Sequence, residues 1–473
     1  MLKVRIASMT QNPEYIVCTY ASLSRDGTPI DELHKKILAM PIEKVRARNR
    51  RVIFDLGHAS VAEHAVFNLD ISGISRLAVE ELEHARLCSY TEKSQRYQKI
   101  GAGEWTNPIS WYDFPELHAE FAALMNIQEH AYEQLIALLR EQGLPVGRVR
   151  EDARYALGLA THAQLGMTLN ARNATYLMQR LYASSLLECR KLAWQIHEAI
   201  RDVAPSLVPE RPRATEFLLR LDRTRQAQAK EMHKHGAFVG AACEPCWIPD
   251  HEKHVLAGLL YEKLPTPYVT CSGYSACCTA AKKRELAKEV LLHLEKHDLP
   301  PRSWELADVI FDVIISASCF AQLKRHRMCT IIPKRYISDE WCYRPQTIKS
   351  LPAALEILEH VVRESSTMYT KIANEKFLGP MVAEYALTNA HTRQVLVKMN
   401  LRELYAFCKL RCDKHAQTEI RELATMLMNR VQARYPATCE LLCGLDTFEE
   451  VKAAYLNSDF ANMDMEDDIN DKG

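Results

Sequence analysis

The chain has 473 residues against roughly 150 for a typical domain, so two or three domains and a sizeable core are expected. Sixty Lys and Arg balance sixty Asp and Glu, and a formal net charge of zero provides no global field for nucleic acid or anionic lipid. The 47% apolar and 25% charged residues are those of an ordinary globular protein, and only 16 Gly disfavour a loop-rich all-β chain.

No run approaches the ~18 apolar residues of a membrane span. Met1-Leu2-Lys3-Val4-Arg5-Ile6 has no long apolar core or cleavage site, so it reads as a strand rather than a secretory signal. The fifteen Cys are read as reduced thiols of a cytoplasmic protein.

In chain order, Lys3 to Ser8 alternates as a strand and Pro13 to Ser24 reads as a helix with Pro13-Glu14 in its first turn. Ala65 to Ile71 alternates again, and Ile74 to Arg86 has a period near 3.6. Long helical patterns span Pro115 to Gln142 and Asn170 to Val203. Pro205, Pro209 and Pro212 punctuate a linker, and a connecting helix follows from Thr215 to about Met232.

The order then begins again. Ala237 to Ala242 resembles the opening strand, His251 to Tyr261 the first helix, and Asp308 to Ser316 the middle strand. Cys319 to Cys329 and Asn400 to Gln432 follow as helices. Glu63 and Glu305 stand 242 apart, Arg86 and Arg327 241, and Asn170 and Asn400 230, which indicates a tandem duplication. The expected boundaries are a first domain at 1–204, a linker and connecting helix at 205–234, a second domain at 235–445 and an acidic tail at 446–473.

Three clusters carry chemistry. Gly57-His58-Ala59-Ser60-Val61-Ala62-Glu63-His64 precedes the middle strand of the first half. A loop with Ser89, Glu92, Ser94, Gln95 and Arg96 offers hydroxyls, a carboxylate and a guanidinium suited to a nucleoside monophosphate, or a solvated charged loop. In the second half Gln322-Leu323-Lys324-Arg325-His326-Arg327 sets four potential cations at a helix end, to clamp a diphosphate or to complement the helix dipole.

Asn400, Leu404, Phe407, Arg411 and His415 fall on one stripe at 100° per residue, mixing polar groups with large apolar ones as a site lining does. Cys243-Glu244-Pro245-Cys246 with His251 and His254 has zinc-like spacing, but with no second such pair near it is read as thiols and no metal is expected. Neither a Rossmann glycine fingerprint nor a P-loop is present.

These segments resemble the flavin-dependent thymidylate synthases. Arg86 to Tyr97 matches that family's substrate-loop signature with Thr91 in place of Asn and His84-Ala85 in place of its opening Arg-His. His58, Ser60 and Glu63 match its flavin segment, and Arg154, Asn170, Arg172 and Arg180 fit its C-terminal pattern. The second half keeps Gln322, Arg325-His326-Arg327, Asn400-Leu401-Arg402, Arg411 and His415-Ala416-Gln417. It loses the substrate loop at Thr330 to Tyr336 and carries Glu384 near the place of the upstream arginine.

The resemblance implies an α/β (α+β) fold: two tandem domains, each helix-rich with a small, mainly antiparallel sheet. It implies FAD as cofactor, with NADPH and methylenetetrahydrofolate as co-substrates converting dUMP to dTMP. Because the losses are complementary, it implies one composite site per chain.

The resemblance further implies Arg411 as the catalytic residue at the pyrimidine, with Gln322, Arg325, Glu92, Ser94, Gln95, Arg96 and Arg154 expected to bind substrate beside it. It implies that His58, Ser60, Glu63, Arg325, His326, Arg327, Asn400, Arg402 and His415 hold FAD. The implied assembly is a homodimer of pseudo-tetrameric shape, with a small nucleotide as partner and neither nucleic acid nor membrane. A relative acting on another pyrimidine and a non-catalytic nucleotide-binding protein are the alternative readings.

Overall fold

The structure is a computed structural model and describes residues 2–98, 103–221, 224, 251–338 and 341–457. The strand expected at 237–242, the Cys243–Cys246 pair, the connecting helix beyond residue 224 and the tail after residue 457 lie outside the described residues. Two compact units are present, one drawn from 1–240 and 336–391, the other from 241–335 and 392–473. The second sequence copy therefore gives residues 336–391 to the unit built by the first.

In the first unit, β1 (Lys3–Met9), β2 (Val66–Ser75), β3 (Ser89–Glu92) and β4 (His162–Asn170) lie in the order β1-β2-β4-β3, antiparallel at each pairing. Phe67, Leu69 and Ile71 face Leu169, Met167 and Leu165 across the β2–β4 ladder, and all six are buried. This alternation is that of a sheet with one face on the core. β2 runs to Ser75, beyond the expected end at Ile71. Ser72-Gly73 forms a bulge, with Gly73 at φ 66° and the register shifting between Ser72 and Ile74.

Ser89–Glu92, expected as loop, is strand β3, and only from Lys93 onward does the chain leave the sheet. The long helix expected from Asn170 is two helices, Ala171–Ala183 and Leu187–Val203. Asn170 caps the first by accepting from Asn173 N. Ser184 leaves helical geometry and its Oγ accepts from Leu186 N, offering the backbone an alternative to the helix. Two short helices that the sequence reading passed over, Ile30–Leu38 and Ile42–Arg50, each follow a proline and seat Leu33, Ile37 and Val45 with Cys18 in a small core.

The second unit has β5 (Asp308–Ser316), β6 (Thr330–Tyr336) and β7 (Thr392–Asn400) in the order β5-β7-β6. Val309, Phe311 and Val313 pair with Met399, Val397 and Val395 over a core containing Trp304, Tyr405 and Phe407. The helix expected from Asn400 to Gln432 is again two, Leu401–Arg411 and Thr418–Arg434. Asp413 Oδ1 accepts from His415 N at 2.8 Å and Gln417 caps the second helix through Ile420 N, which closes a turn between them. The β1–β2, β2–β4, β3–β4 and β5–β7 pairings are antiparallel, so the class is helix-rich α+β. Among the described residues no helix is long and apolar enough to cross a membrane.

The duplication is written into the contacts. Ser75 caps the helix after β2, and its N and Oγ donate to Glu188 at 2.9 and 2.6 Å; Ser316 and Glu419 repeat the arrangement after β5. Within the first unit the copies meet on a pseudo-twofold axis. Gly158 bridges Thr388, 230 residues on, the same lag that relates Asn170 to Asn400. Leu159 N donates to Leu387 O and Asn389 N to Leu157 O, both at 2.8 Å, which is the reciprocity of an isologous contact. Above it Gln128 of helix Pro115–Glu141 donates at 2.9 Å to Ser365 of helix Pro352–Asn374. Gly158 is required there, since a Cβ would meet Gln128 Oε1 at 2.1 Å.

His391 lies beside this axis, fully buried. Thr388 N donates to its Nδ1 at 3.0 Å, so Nε2 carries the proton and faces Ser366 Oγ at 3.2 Å. Burial pushes its imidazole down to about 4. The unfolded chain protonates near 6.5 and the folded chain does not, so acidification from pH 6.5 toward 4 lowers stability. The expected slope is about 1.4 kcal/mol per pH unit for this group. Urea titrations at stepped pH check it, and His391→Asn should show a correspondingly flatter dependence.

Candidate functional site

In the first unit the buried Arg154 opens the turn Arg154–Ala156 at the end of helix Val146–Ala153. Asn389 Nδ2 donates to Arg154 O at 3.0 Å and to Gln95 Oε1 at 3.3 Å. Gln95 is buried, and its Nε2 donor has no hydrogen-bond partner. Beside it Ser94 Oγ accepts from Arg96 N at 3.2 Å, and the Arg96 guanidinium pairs with Glu151 at 2.7 Å. Asn389 thus links Gln95 to Arg154, and Ser94 and Arg96 stand beside Gln95 in the chain. Glu92 pairs with Arg76 and both are buried, so its carboxylate anchors the start of the loop. The orphaned amide beside these guanidiniums suits a ligand that accepts hydrogen bonds and carries negative charge.

The corresponding turn of the second copy is Glu384–Ala386. The Glu384 carboxylate is buried and accepts from Tyr336 N at 3.2 Å, and Tyr336 Oη donates to Glu80 at 2.6 Å. Where the first copy has a four-residue strand and then the loop of Ser94 and Arg96, the second continues as strand β6 through Tyr336. β-branched Thr330-Ile331-Ile332 favours that extension.

In the second unit Arg411 ends helix Leu401–Arg411. Its Nε donates to His326 Nε2 at 3.0 Å, Nη1 to Gln322 Oε1 at 3.1 Å and Nη2 to Gln322 O at 3.1 Å. Because a guanidinium only donates, His326 Nε2 is the acceptor, and Nδ1–H points at Glu403 Oε1, 3.4 Å away. The ring also meets Phe407 edge-on at 4.8 Å. Burial lowers the His326 pKa, with Glu403 opposing and Arg411 adding to the shift. His326 is therefore a neutral ring that seats Arg411 rather than one of four cations.

Lys324 is buried as well, which leaves Arg325 and Arg327, both half-buried, as the clamp. The expected stripe holds from Leu404 through Arg411. Asn400 Oδ1 caps the helix by accepting from Glu403 N, and His415 stands exposed in the turn beyond.

Among the remaining expected flavin contacts, Glu63 and Arg402 form ion pairs. His58, Ser60 and Glu63 are exposed around the turn Ala59–His64, and Glu63 pairs with Arg172. In the second copy Arg402 reaches Glu305 at 3.7 Å and donates to Pro300 O at 2.8 Å. The sequence reading missed Arg76, Glu151 and Asn389; only Asn389, inside a stretch that repeats the residues after Arg154, carried a signal there. Among the described residues no cluster of metal-ligating side chains is present.

A family model described as thymidylate synthase complementing protein matches residues 5–206 and 260–437. The flavin-dependent thymidylate synthase of Sulfurisphaera tokodaii is 31% identical over 207 residues, 44% of this chain and 76% of that protein. That of Clostridium tetani is 26% identical, covering 44% of this chain and 85% of its own. A UPF0159 protein of Thermoplasma acidophilum is 22% identical over 450 residues, 84% of this chain and 88% of that one. Among solved structures, thymidylate synthase X of Helicobacter pylori with FAD and dUMP is similar at 21% identity and a TM-score of 0.32, covering 46% of this chain and 99% of its own.

Proposed function

The chain belongs to the thymidylate synthase complementing protein family, and on that premise we propose that it is an FAD-dependent thymidylate synthase, methylating dUMP with methylenetetrahydrofolate and NADPH. The observation that carries this reading is the opposite fate of the two copies at one turn. Arg154 stands beside an amide donor with no partner, whereas Glu384 is a carboxylate closed by the backbone of Tyr336. A guanidinium recruits a phosphate and a carboxylate repels one. At the helix position of Arg411, 230 residues back, stands the buried Leu181. Each copy thus keeps what the other lacks, which supports one productive nucleotide position per chain.

In this reading Ser94, Arg96 and Arg154 take the phosphate, with Glu92 and Glu151 holding the loop and its arginine in place. Arg411, fixed by Gln322 and the neutral His326, donates to the pyrimidine and stabilises the negative charge that develops on its ring. Holding the side chain at three points before substrate arrives lowers the reorganisation the reaction requires.

The guanidinium and imidazole set of Arg325, Arg327, Arg402 and His415, with His58 and Ser60 reaching in from another copy, suits the diphosphate and rings of FAD. When bound, FAD supplies the hydride that completes the methyl group. Cys189, Cys408 and Cys439 are fully buried with their thiols pushed up, so none is suited to act as a nucleophile.

The test is rescue of a thymidine-requiring strain, with FAD-dependent dTMP formation by the purified protein. A colourless protein that neither rescues nor forms dTMP would end this reading. Light scattering should report a homodimer, since the family resemblance implies four domains per assembly and this chain carries two copies. A stable monomer containing FAD would argue against that assembly.

A further inference from the structure

The first unit contains a cavity of about 570 Å³ that none of the residues above accounts for, within the roughly 300–1,000 Å³ of small-molecule pockets. Trp105, Trp111 and Trp194, three of the chain's six tryptophans, line it. Lys191 lines it too and sets its ammonium 4.3 Å from the Trp111 ring centroid. His162 is in the wall, and burial holds its imidazole below the usual value, so it adds a neutral ring.

Two polar atoms of the lining are unmatched: Trp105 Nε1 is a buried donor without an acceptor, and Gln195 Oε1 a buried acceptor without a donor. Glu188 is not the missing partner. It already accepts from Ser75 N and Oγ, Thr106 Oγ1 and Tyr385 Oη at 2.6–3.2 Å.

The duplication supplies an internal control. The Ser75–Glu188 pair recurs as Ser316–Glu419, so the fold keeps it. Lys191, Trp194 and Gln195, counted from Glu188, correspond to Glu422, Thr425 and Met426 counted from Glu419. Trp105, bridged to Thr161, corresponds to Cys342, bridged to His391. The same fold is therefore built in the second copy without the indoles of Trp105 and Trp194 or the ammonium of Lys191, and their presence in the first needs another reason.

We propose that this pocket is a ligand site for a planar nitrogen heterocycle carrying an anionic group. Indole faces stack flat rings. A ring with both an acceptor and an N–H satisfies Trp105 Nε1 and Gln195 Oε1. The ammonium of Lys191 takes the anion. A pteridine carboxylate and a nucleoside monophosphate share this chemistry.

Calorimetric titration of the full chain with pterin-6-carboxylate and with AMP separates these sources, with pterin and adenosine as uncharged counterparts. One of the two anions should bind saturably, once per chain, and Arg154→Ala should leave that binding within about twofold because the nucleotide site is elsewhere. Lys191→Met should weaken the anion roughly tenfold or more while leaving the uncharged counterpart within about twofold. Trp194→Ala should weaken both, and Lys191→Arg should restore the anion. Lys191 and Trp194 are exposed, so these variants spare the core, and circular dichroism verifies their fold. Absence of saturable binding by either anion, unchanged affinity in Lys191→Met, or loss of binding in Arg154→Ala would each overturn the proposal.

Discussion

Arg411→Ala is expected to lower dTMP formation roughly 10²–10³-fold, the usual effect of removing one fixed donor to developing charge. Arg154→Ala should weaken dUMP binding about 10–100-fold, since a charge-assisted hydrogen bond contributes about 1.5–3 kcal/mol. Glu384→Ala, at the corresponding turn of the other copy, should change neither by more than about twofold. The same contrast should separate Arg96→Ala, which loses dUMP, from Arg335→Ala on strand β6, which does not. Steady-state kinetics and equilibrium dialysis with dUMP on the five variants decide the matter. If Glu384→Ala or Arg335→Ala is as damaging as its counterpart, both copies are in use and the division of labour between them fails.

The contrast between the copies on which this expectation rests is legible in the sequence because charge changes are local. Arg against Glu at 154 and 384, and a loop against Thr330-Ile331-Ile332, are visible without coordinates. Helical periodicity is legible for a similar reason: the pattern read from Pro115 to Gln142 is the helix Pro115–Glu141. What escaped depended on side chains bonding backbone. Ser184 and Asp413 stop helices whose apolar period continues past them, and period counting passes through such stops. The bulge at Gly73 carries β2 past Ile71, where the alternation breaks.

The role of His326 was hidden for a different reason. A histidine between two arginines reads as a third cation, and only the burial against Phe407 and the donor geometry of Arg411 make it a neutral acceptor. Residues 336–391 joining the first unit is likewise a tertiary fact: the Gly158–Thr388 bridge joins positions far apart in sequence, which no local pattern encodes.

One FAD per chain, two per dimer, is the expected stoichiometry, although two copies of the domain are present. In the second copy the clamp Arg325 and Arg327 stands half-exposed, with Gln322 and Arg411 behind it. At the corresponding positions of the first copy, Arg325 is His84, His326 is the buried Ala85, Gln322 is Glu81 and Arg411 is Leu181. Desolvation, with the Arg180 and Arg86 guanidiniums, pushes the His84 imidazole down to about 4 although part of its ring is exposed, so it is uncharged at pH 7. Glu81 faces Arg180 at 3.9 Å and so places a carboxylate where the other copy has an amide. His415 corresponds to Ser185, a hydroxyl in place of an imidazole. Each change removes a contact to an anionic cofactor, at about 1–3 kcal/mol apiece, and together they leave the second position weaker by several orders of magnitude. Flavin released by denaturation and measured against protein from amino-acid analysis should therefore give a ratio near one. A ratio approaching two would show that the first copy still clamps FAD, and Arg86 with the neutral His84 would have to suffice for it.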